Sequence, residues 1–200
     1  MKARAVADLS KLPLHGMGSA SATWWGTLAF MLIEGTGFAL AIAVYFYLMS
    51  IAAIWPIDAL RPNLLPGTVV TLILIASVVP NYLVSRWAEQ QDLRKVRIGL
   101  VVMSVLGIAP LVVRFLEFPA LNVSWDTNAY GSIVWLLLGL HTTHIITDLG
   151  DTLVLAALMF TRHGDNMRRF GDVLDNAMYW NFVVLAWLPI YGCIYWVPRL

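Results

Sequence analysis

The chain predicts an all-α polytopic membrane protein, a bundle of five transmembrane helices with the N-terminus inside and the C-terminus outside. Three observations carry this reading. Of 200 residues, 60% are hydrophobic and only 12% charged, against about 45–50% and 25% in a soluble domain. Five apolar stretches each approach the roughly 20 residues that cross a ~30 Å hydrocarbon core. Ten of the 13 Lys and Arg residues fall on one side of the membrane when those stretches are threaded through it, which sets orientation by the positive-inside rule.

The spans are expected at Trp24–Ile54, Gly67–Ser85, Ile98–Leu116, Gly131–Phe160 and Ala177–Val197. Residues 1–22 read as a cytoplasmic N-terminal segment, and 23–200 as a single membrane domain. Lys2, Arg4 and Lys11 precede an apolar run far too long for a signal-peptide core, so no cleaved signal is expected. The first and fourth spans exceed the core thickness and must tilt or project. Pro80-Asn81 and Pro110 interrupt the second and third, tolerable where neighbours re-satisfy the freed carbonyls. No segment alternates as a barrel strand does.

The charged loops explain the topology. Arg86, Arg94, Lys95 and Arg97 separate spans two and three, and Arg162, Arg168 and Arg169 separate four and five. Arg61, Arg114 and Arg199 are left for the other side. The segment Ser85–Arg97 is read as a solvated cytoplasmic turn touching headgroups. Trp24-Trp25, Trp55, Tyr130, Trp135, Tyr179-Trp180 and Tyr195-Trp196 fall at expected span ends, as interface anchors do. Cys193 is the sole cysteine; it offers no internal disulfide and packs as a small hydrophobe. No basic block suggests nucleic acid, and no phosphate loop or nucleophile–base set is present.

Four ionisable residues lie in the fourth span: His141, His144, Asp148 and Asp151. At about 100° per residue they share an arc of roughly 80°, one polar stripe. A charge at mid-bilayer costs on the order of 2.5–3.5 kcal/mol on insertion scales, so the stripe must face helices, water or a partner. Glu34 lies about 15 Å into the first span, followed by Gly35, Thr36 and Gly37, whose small side chains suggest close packing. It reads either as a proton-responsive carboxyl or as a neutral acid hydrogen-bonded between helices. His141 and His144 supply too few ligands for a metal centre unless carboxylates join them; interhelical hydrogen bonding is the simpler role. Asp148 and Asp151 need a water-lined path or an arginine. Arg114 is the in-chain candidate, yet it may pair instead with Glu117, three residues on, near the outer surface.

Several motifs resemble the cytochrome c oxidase subunit III family of the haem-copper terminal oxidases. Trp25-Gly26-x3-Phe30-x3-Glu34 is similar to the family's W-G-x3-F-x3-E, whose Glu is the carbodiimide-reactive carboxyl. Arg114-Phe115-Leu116-Glu117-Phe118 resembles Q-x-x-E-Y. Tyr130-Gly131-Ser132 and Gly139-Leu140-His141-Thr142-Thr143-His144 resemble Y-G-S and G-F-H-x-x-H. Tyr179-Trp180-Asn181-Phe182-Val183 and Trp187-Leu188 resemble Y-W-H-F-V-D-V-V-W-L. The order and spread of these matches make the chain similar to the short, five-helix bacterial form. Asn181 stands for a family His, Val184 for an Asp, Arg114 for a Gln and Asp148 for a Gly, while Asp151 is an added acid.

The resemblance implies a non-redox subunit of an oxygen-reducing, proton-translocating oxidase in a bacterial inner membrane. It implies that haems and copper reside in partner subunits I and II, that phospholipid binds here, and that this chain supports proton uptake and stability. A related but distinct reading is the subunit III-like accessory protein associated with nitric oxide reductases, which shares this fold. From another class, a small proton-coupled transporter would use Glu34, His144 and Asp148 as a relay, although no repeated halves are visible. A small metalloenzyme is opposed by the shortage of ligands.

Overall fold

The computed structural model describes residues 17–162 and 164–200. His15, His163 and most of the N-terminal segment, with Lys2, Arg4 and Lys11, lie outside the described residues. All five expected spans are helices: α1 (Ala22–Ile51), α2 (Leu64–Glu89), α3 (Leu93–Glu117), α4 (Ala129–Met159) and α5 (Met167–Tyr191). Each is long and apolar enough to cross a membrane, so the chain is a multi-pass membrane protein, and no strand occurs among the described residues. A π-turn at Gly192–Trp196 and a 3-10 turn at Val197–Arg199 extend α5.

Side-chain-capped starts punctuate the chain. Ser21, Asn63, Asp92, Asn128 and Asn166 each accept a backbone N–H at the start of one helix, satisfying donors that have no intrahelical partner. The helices run past the lipid-spanning stretches into charged sequence. Ser85–Arg97 is therefore mostly helix, with only Gln90–Asp92 making the turn and with Ala88 and Val96 buried. The largest correction is α5, which begins ten residues before Ala177. Asn166 and the apolar spacing Phe170, Val173, Ala177, Trp180, Val184, Trp187 were the available signals.

α2 packs on α3 and α5, α3 on α4, and α4 on α5, while α1 rests chiefly on α4 and α5. The buried residues of α1 explain this loose attachment: Met31, Phe38, Ala41 and Tyr45 form a narrow seam. Their spacing leaves one vacant seam position, and Glu34 occupies it, so helical periodicity alone turns Glu34 toward α4 and α5. Most of the remaining α1 surface is exposed and apolar, including Leu32, Ile33 and Leu40, which suits contact with lipid. Gly35 and Gly37 mark no tight crossing, contrary to the expectation. A Cβ on Gly35 would sit 3.6 Å from Phe182, and one on Gly37 would meet nothing.

Three α2 side chains zip that helix to α5. Trp187 donates to Thr71 Oγ1 at 2.7 Å and Trp180 to Ser77 Oγ at 2.8 Å. Asn81 donates to the Ala177 carbonyl at 2.8 Å and to Asn181 Oδ1 at 3.0 Å. Asn181, which stands where the resemblance would put a His, is thus itself hydrogen-bonded to α2. Several expected anchors are core residues instead. Tyr130, Tyr179, Trp180 and Tyr195 are buried, whereas Trp25 and Trp196 remain exposed. The early start of α5 moves Tyr179-Trp180 from a helix end to its middle. Cys193 packs in the core as expected.

At the end of the bundle opposite the α2–α3 turn, the loops are tied to one another. Asn128 donates to the Ile57 carbonyl at 2.6 Å, Asn122 donates to the Arg61 carbonyl at 3.0 Å, and Arg199 donates to the Pro62 carbonyl. Gly131 lies so close to this network that a Cβ would stand 2.2 Å from the Ser124 carbonyl oxygen. Gly131→Ala is expected to cost about 1–3 kcal/mol, the usual penalty of overpacking, read as a lower thermal unfolding midpoint in detergent. Asp92 provides a pH test outside the spans. The side chain of Lys95, and then its backbone N–H, hold the Asp92 carboxyl below its ordinary value. Its contribution is full above the unfolded pKa of about 3.9 and lost as pH falls through the lower folded value. Asp92→Ala should remove that acid-side dependence from the melting profile.

Candidate functional site

The polar stripe of α4 is divided among three environments by its neighbours. His141 belongs to a fully enclosed cluster. Arg114 Nη2 lies 2.8 Å from His141 Nδ1, and His141 Nε2 lies 3.0 Å from the Val183 carbonyl. Arginine can only donate, so Nδ1 accepts and the ring is neutral with its proton on Nε2. Arg114 Nη1 donates to Glu117 Oε2 at 2.5 Å, and Tyr195 donates to Glu117 Oε1 at 2.7 Å. The guanidinium also lies over the Trp187 ring, 4.1 Å from its centroid, a cation–π contact.

Arg114 and Glu117 therefore pair with each other, as one expectation had it, at the C-terminal end of α3 and fully enclosed by protein. Their side chains are 2% and 0% exposed. They join α3 to α4 and to the turn that extends α5. Gly67 of α2 makes room for this arrangement, since a Cβ there would stand 2.4 Å from the Tyr195 ring.

His144 faces α1 instead. Its Nε2 is 3.2 Å from Glu34 Oε1, and Tyr179 donates to Glu34 Oε2 at 2.7 Å. His144 Nδ1 lies 2.7 Å from the Leu140 carbonyl, an acceptor, so Nδ1 carries a proton. The neutral ring then presents the Nε2 lone pair to a carboxyl oxygen. The approach is attractive only when one proton lies on either Nε2 or Oε1. With one such proton the pair is neutral overall in both arrangements; Nε2 and Oε1 lie close but are not aligned as a hydrogen bond. Phe38, with its ring centroid 4.7 Å from that of His144, walls the pair.

Asp148 meets no arginine. It is 1% exposed, and Asn176 of α5 donates to its Oδ1 at 3.2 Å, while Oδ2 has no hydrogen-bond partner among the described residues. Asn176 Oδ1 in turn accepts from Thr152 at 3.1 Å. Asp151 is exposed, because the buried seam of α4 continues through Thr152 instead. It lines a cavity of about 650 Å³ between α1, α4 and α5 that also reaches Glu34, Asp175 and Tyr179. The sequence reading missed Asp175, Asn176 and Tyr179 as site residues, because it began helix five too late to place the first two on a helix.

The donor set bears on metal binding. Both His141 nitrogens are committed to protein partners, which leaves His144 Nε2 and Glu34 as one imidazole and one carboxylate. Among the described residues no group of three or more His, Cys, Asp or Glu is placed to hold a metal ion.

The fold and these clusters define a helical membrane protein whose ionisable groups are held between helices. Comparison with known proteins makes that class specific. A sequence model of cytochrome c oxidase subunit III matches residues 12–198. The probable cytochrome c oxidase subunit 3 of Mycobacterium tuberculosis is 27% identical over 193 residues, covering 92% of both chains. The cytochrome c oxidase subunit 3 of Synechocystis is 26% identical over 188 residues, 90% of this chain and 78% of that protein. That of Drosophila melanogaster is 26% identical over 193 residues, 92% of this chain and 72% of the insect protein. The chain belongs to the cytochrome c oxidase subunit III family.

The buried cluster yields a double-substitution test. Arg114→Met leaves Glu117 as a buried, uncompensated acid and should destabilise the protein by about 3–5 kcal/mol. Adding Glu117→Leu should recover most of the loss, since well-packed apolar replacements of buried ion pairs are often neutral. Thermal unfolding in detergent, with retention of the subunit by its complex, measures both.

Proposed function

We propose that this chain is the third, non-redox subunit of a haem-copper respiratory oxidase, supporting proton uptake and durability of the oxygen-reducing, proton-translocating core. The family match supports the oxidase assignment. The relatives named as subunit 3 support membership of a multisubunit oxidoreductase complex. On this reading the haems and copper lie in subunits I and II. The commitment of both His141 nitrogens to Arg114 and Val183 supports a structural and not a ligating role for that residue. The broad apolar surface of α1 suits subunit contact and phospholipid.

The chain sits in a bacterial inner membrane, N-terminus inside, on the positive-inside argument. The α2–α3 turn with its flanking helix ends, which carry Arg86, Arg94, Lys95 and Arg97, and the α4–α5 connection with the start of α5, which carry Arg162, Arg168 and Arg169, then face the cytoplasm.

The observation that carries the proton role is the Glu34–His144 contact with Tyr179 on the second carboxyl oxygen. Unlike Glu117, whose partners are an arginine and a phenol, Glu34 faces an imidazole that can itself carry or give up a proton. Glu34→Gln preserves size and the hydrogen bond from Tyr179 but abolishes the acid. In the purified complex it should leave the haem spectrum unchanged. Proton uptake should slow several-fold, or the number of turnovers before inactivation should fall by a similar factor. A collapsed spectrum, or loss of the subunit, would make Glu34 an assembly residue and overturn the proton role.

A further inference from the structure

The cavity between α1, α4 and α5 has a floor and a rim that three helices define independently. Glu34, Thr147 and Tyr179 lie at one end, and Thr23, Leu158 and Arg169 at the other. Along each helix the separation is 10 or 11 residues, about 15–16 Å at the helical rise. The rim lies at the end of the bundle that carries the α4–α5 loop. The cavity therefore runs from the membrane surface down to the Glu34–His144 pair.

Its charge is one-sided. Glu34 from α1, Asp151 from α4, and Asp172 and Asp175 from α5 all line it. The single lining cation, Arg169, is already paired with Asp172 at 2.9 Å. Behind the wall stand His144 and the buried Asp148. Asp175 supplies the independent sign of an occupant. It is only 8% exposed, it lines the cavity, and its Oδ1 has no hydrogen-bond partner. A buried carboxylate oxygen left without a donor is costly. Water or a cation in the cavity would satisfy it, and the space of about 650 Å³, walled largely by Phe30, Val154, Leu155 and Leu158, carries a stripe of acids, hydroxyls and an amide along which a chain of waters fits.

We propose that this cavity is a water-filled, cation-attracting vestibule through which protons exchange between the membrane surface and the Glu34–His144 pair. With Asp172 and Arg169 neutralising each other, the carboxylates of Asp151 and Asp175 raise the local concentration of cations along the walls, as a cleft of one charge sign does. A proton leaves bulk water at the rim and passes along hydrogen-bonded waters. It comes to rest on Glu34 Oε1 or His144 Nε2, and it returns by the same route. The inference rests on the proton role of Glu34 and adds the route and the residues that build it.

The test uses the intact oxidase complex carrying Thr147→Cys at the cavity floor, probed with cationic and anionic methanethiosulfonates of matched size. Modification of this chain is followed by mass spectrometry. The cationic reagent should react at least tenfold faster than the anionic one. Asp151→Asn with Asp175→Asn should bring the two rates close together. Filling the rim side with Thr27→Trp, or with Val154→Trp if the first variant is not retained in the complex, should slow both reagents at least tenfold. Modification by a lipid-soluble maleimide alone, or rates indifferent to the acids and to the plug, would overturn the vestibule. The proton role of Glu34 would still stand if Glu34→Gln impaired the oxidase. Conversely, the expected labelling together with unaltered proton uptake in both Glu34→Gln and Asp175→Asn would overturn proton delivery and leave only a cation-accessible cavity.

Discussion

The buried pairing of Arg114 with Glu117 is the contact on which the arrangement of α3, α4 and α5 depends. Lipid offers neither charge a partner, and helices gain little hydrophobic attraction for one another in a medium as apolar as their own surfaces. A guanidinium in the interior must therefore spend its donors on fixed acceptors. Its Nη atoms do so on Glu117 and on His141, while Nε has no partner among the described residues, and the group lies over Trp187. Glu117 holds Tyr195, while Trp187 holds Thr71. One ion pair thus sets the relative position of α2, α3, α4 and the C-terminal turn.

The Glu34 site is built on different terms. It joins the loosely packed α1 to α4 and α5 through a carboxyl, an imidazole and a phenol, and none of the three is a permanent charge in the way an arginine is. The His141 ring has both nitrogens committed to partners, whereas His144 commits only Nδ1 and leaves Nε2 facing Glu34. Two histidines three residues apart on one helix have accordingly separate roles. The rigid cluster lies toward the C-terminal end of α3, and the adaptable pair adjoins a polar cavity. What each ring touches supports a structural role for the first, and the exchange role of the second is the one proposed above.

The four positions His141, His144, Asp148 and Asp151 were legible as a stripe, since helical geometry places them within one arc. Their partners were not legible. Arg114 sits 27 residues from His141 in sequence and Glu34 lies 110 from His144, and nothing in helical periodicity selects one pairing over another. Asp148 and Asp151 looked alike as added acids. Asp148 falls on the buried seam with Leu155 and Met159, while Asp151 falls one position off it. Asp175 and Asn176 were hidden because charged residues near a span end read as loop, although the apolar spacing continued through them from Phe170.

Composition and charge distribution determine that the chain crosses the membrane five times, because hydrocarbon admits only apolar helices of a minimum length. Local sequence determines the helix starts, through five capping side chains, and the seam position of Glu34. The motifs determine the family. Tertiary structure alone decides which acid meets which base, which aromatic rings anchor at the interface and which close the core, and where a cavity opens between α1 and its neighbours. The physical reason is that a buried polar group takes its partner from whatever helix stands opposite. That choice is made by packing across the bundle, at sequence separations no local rule can span.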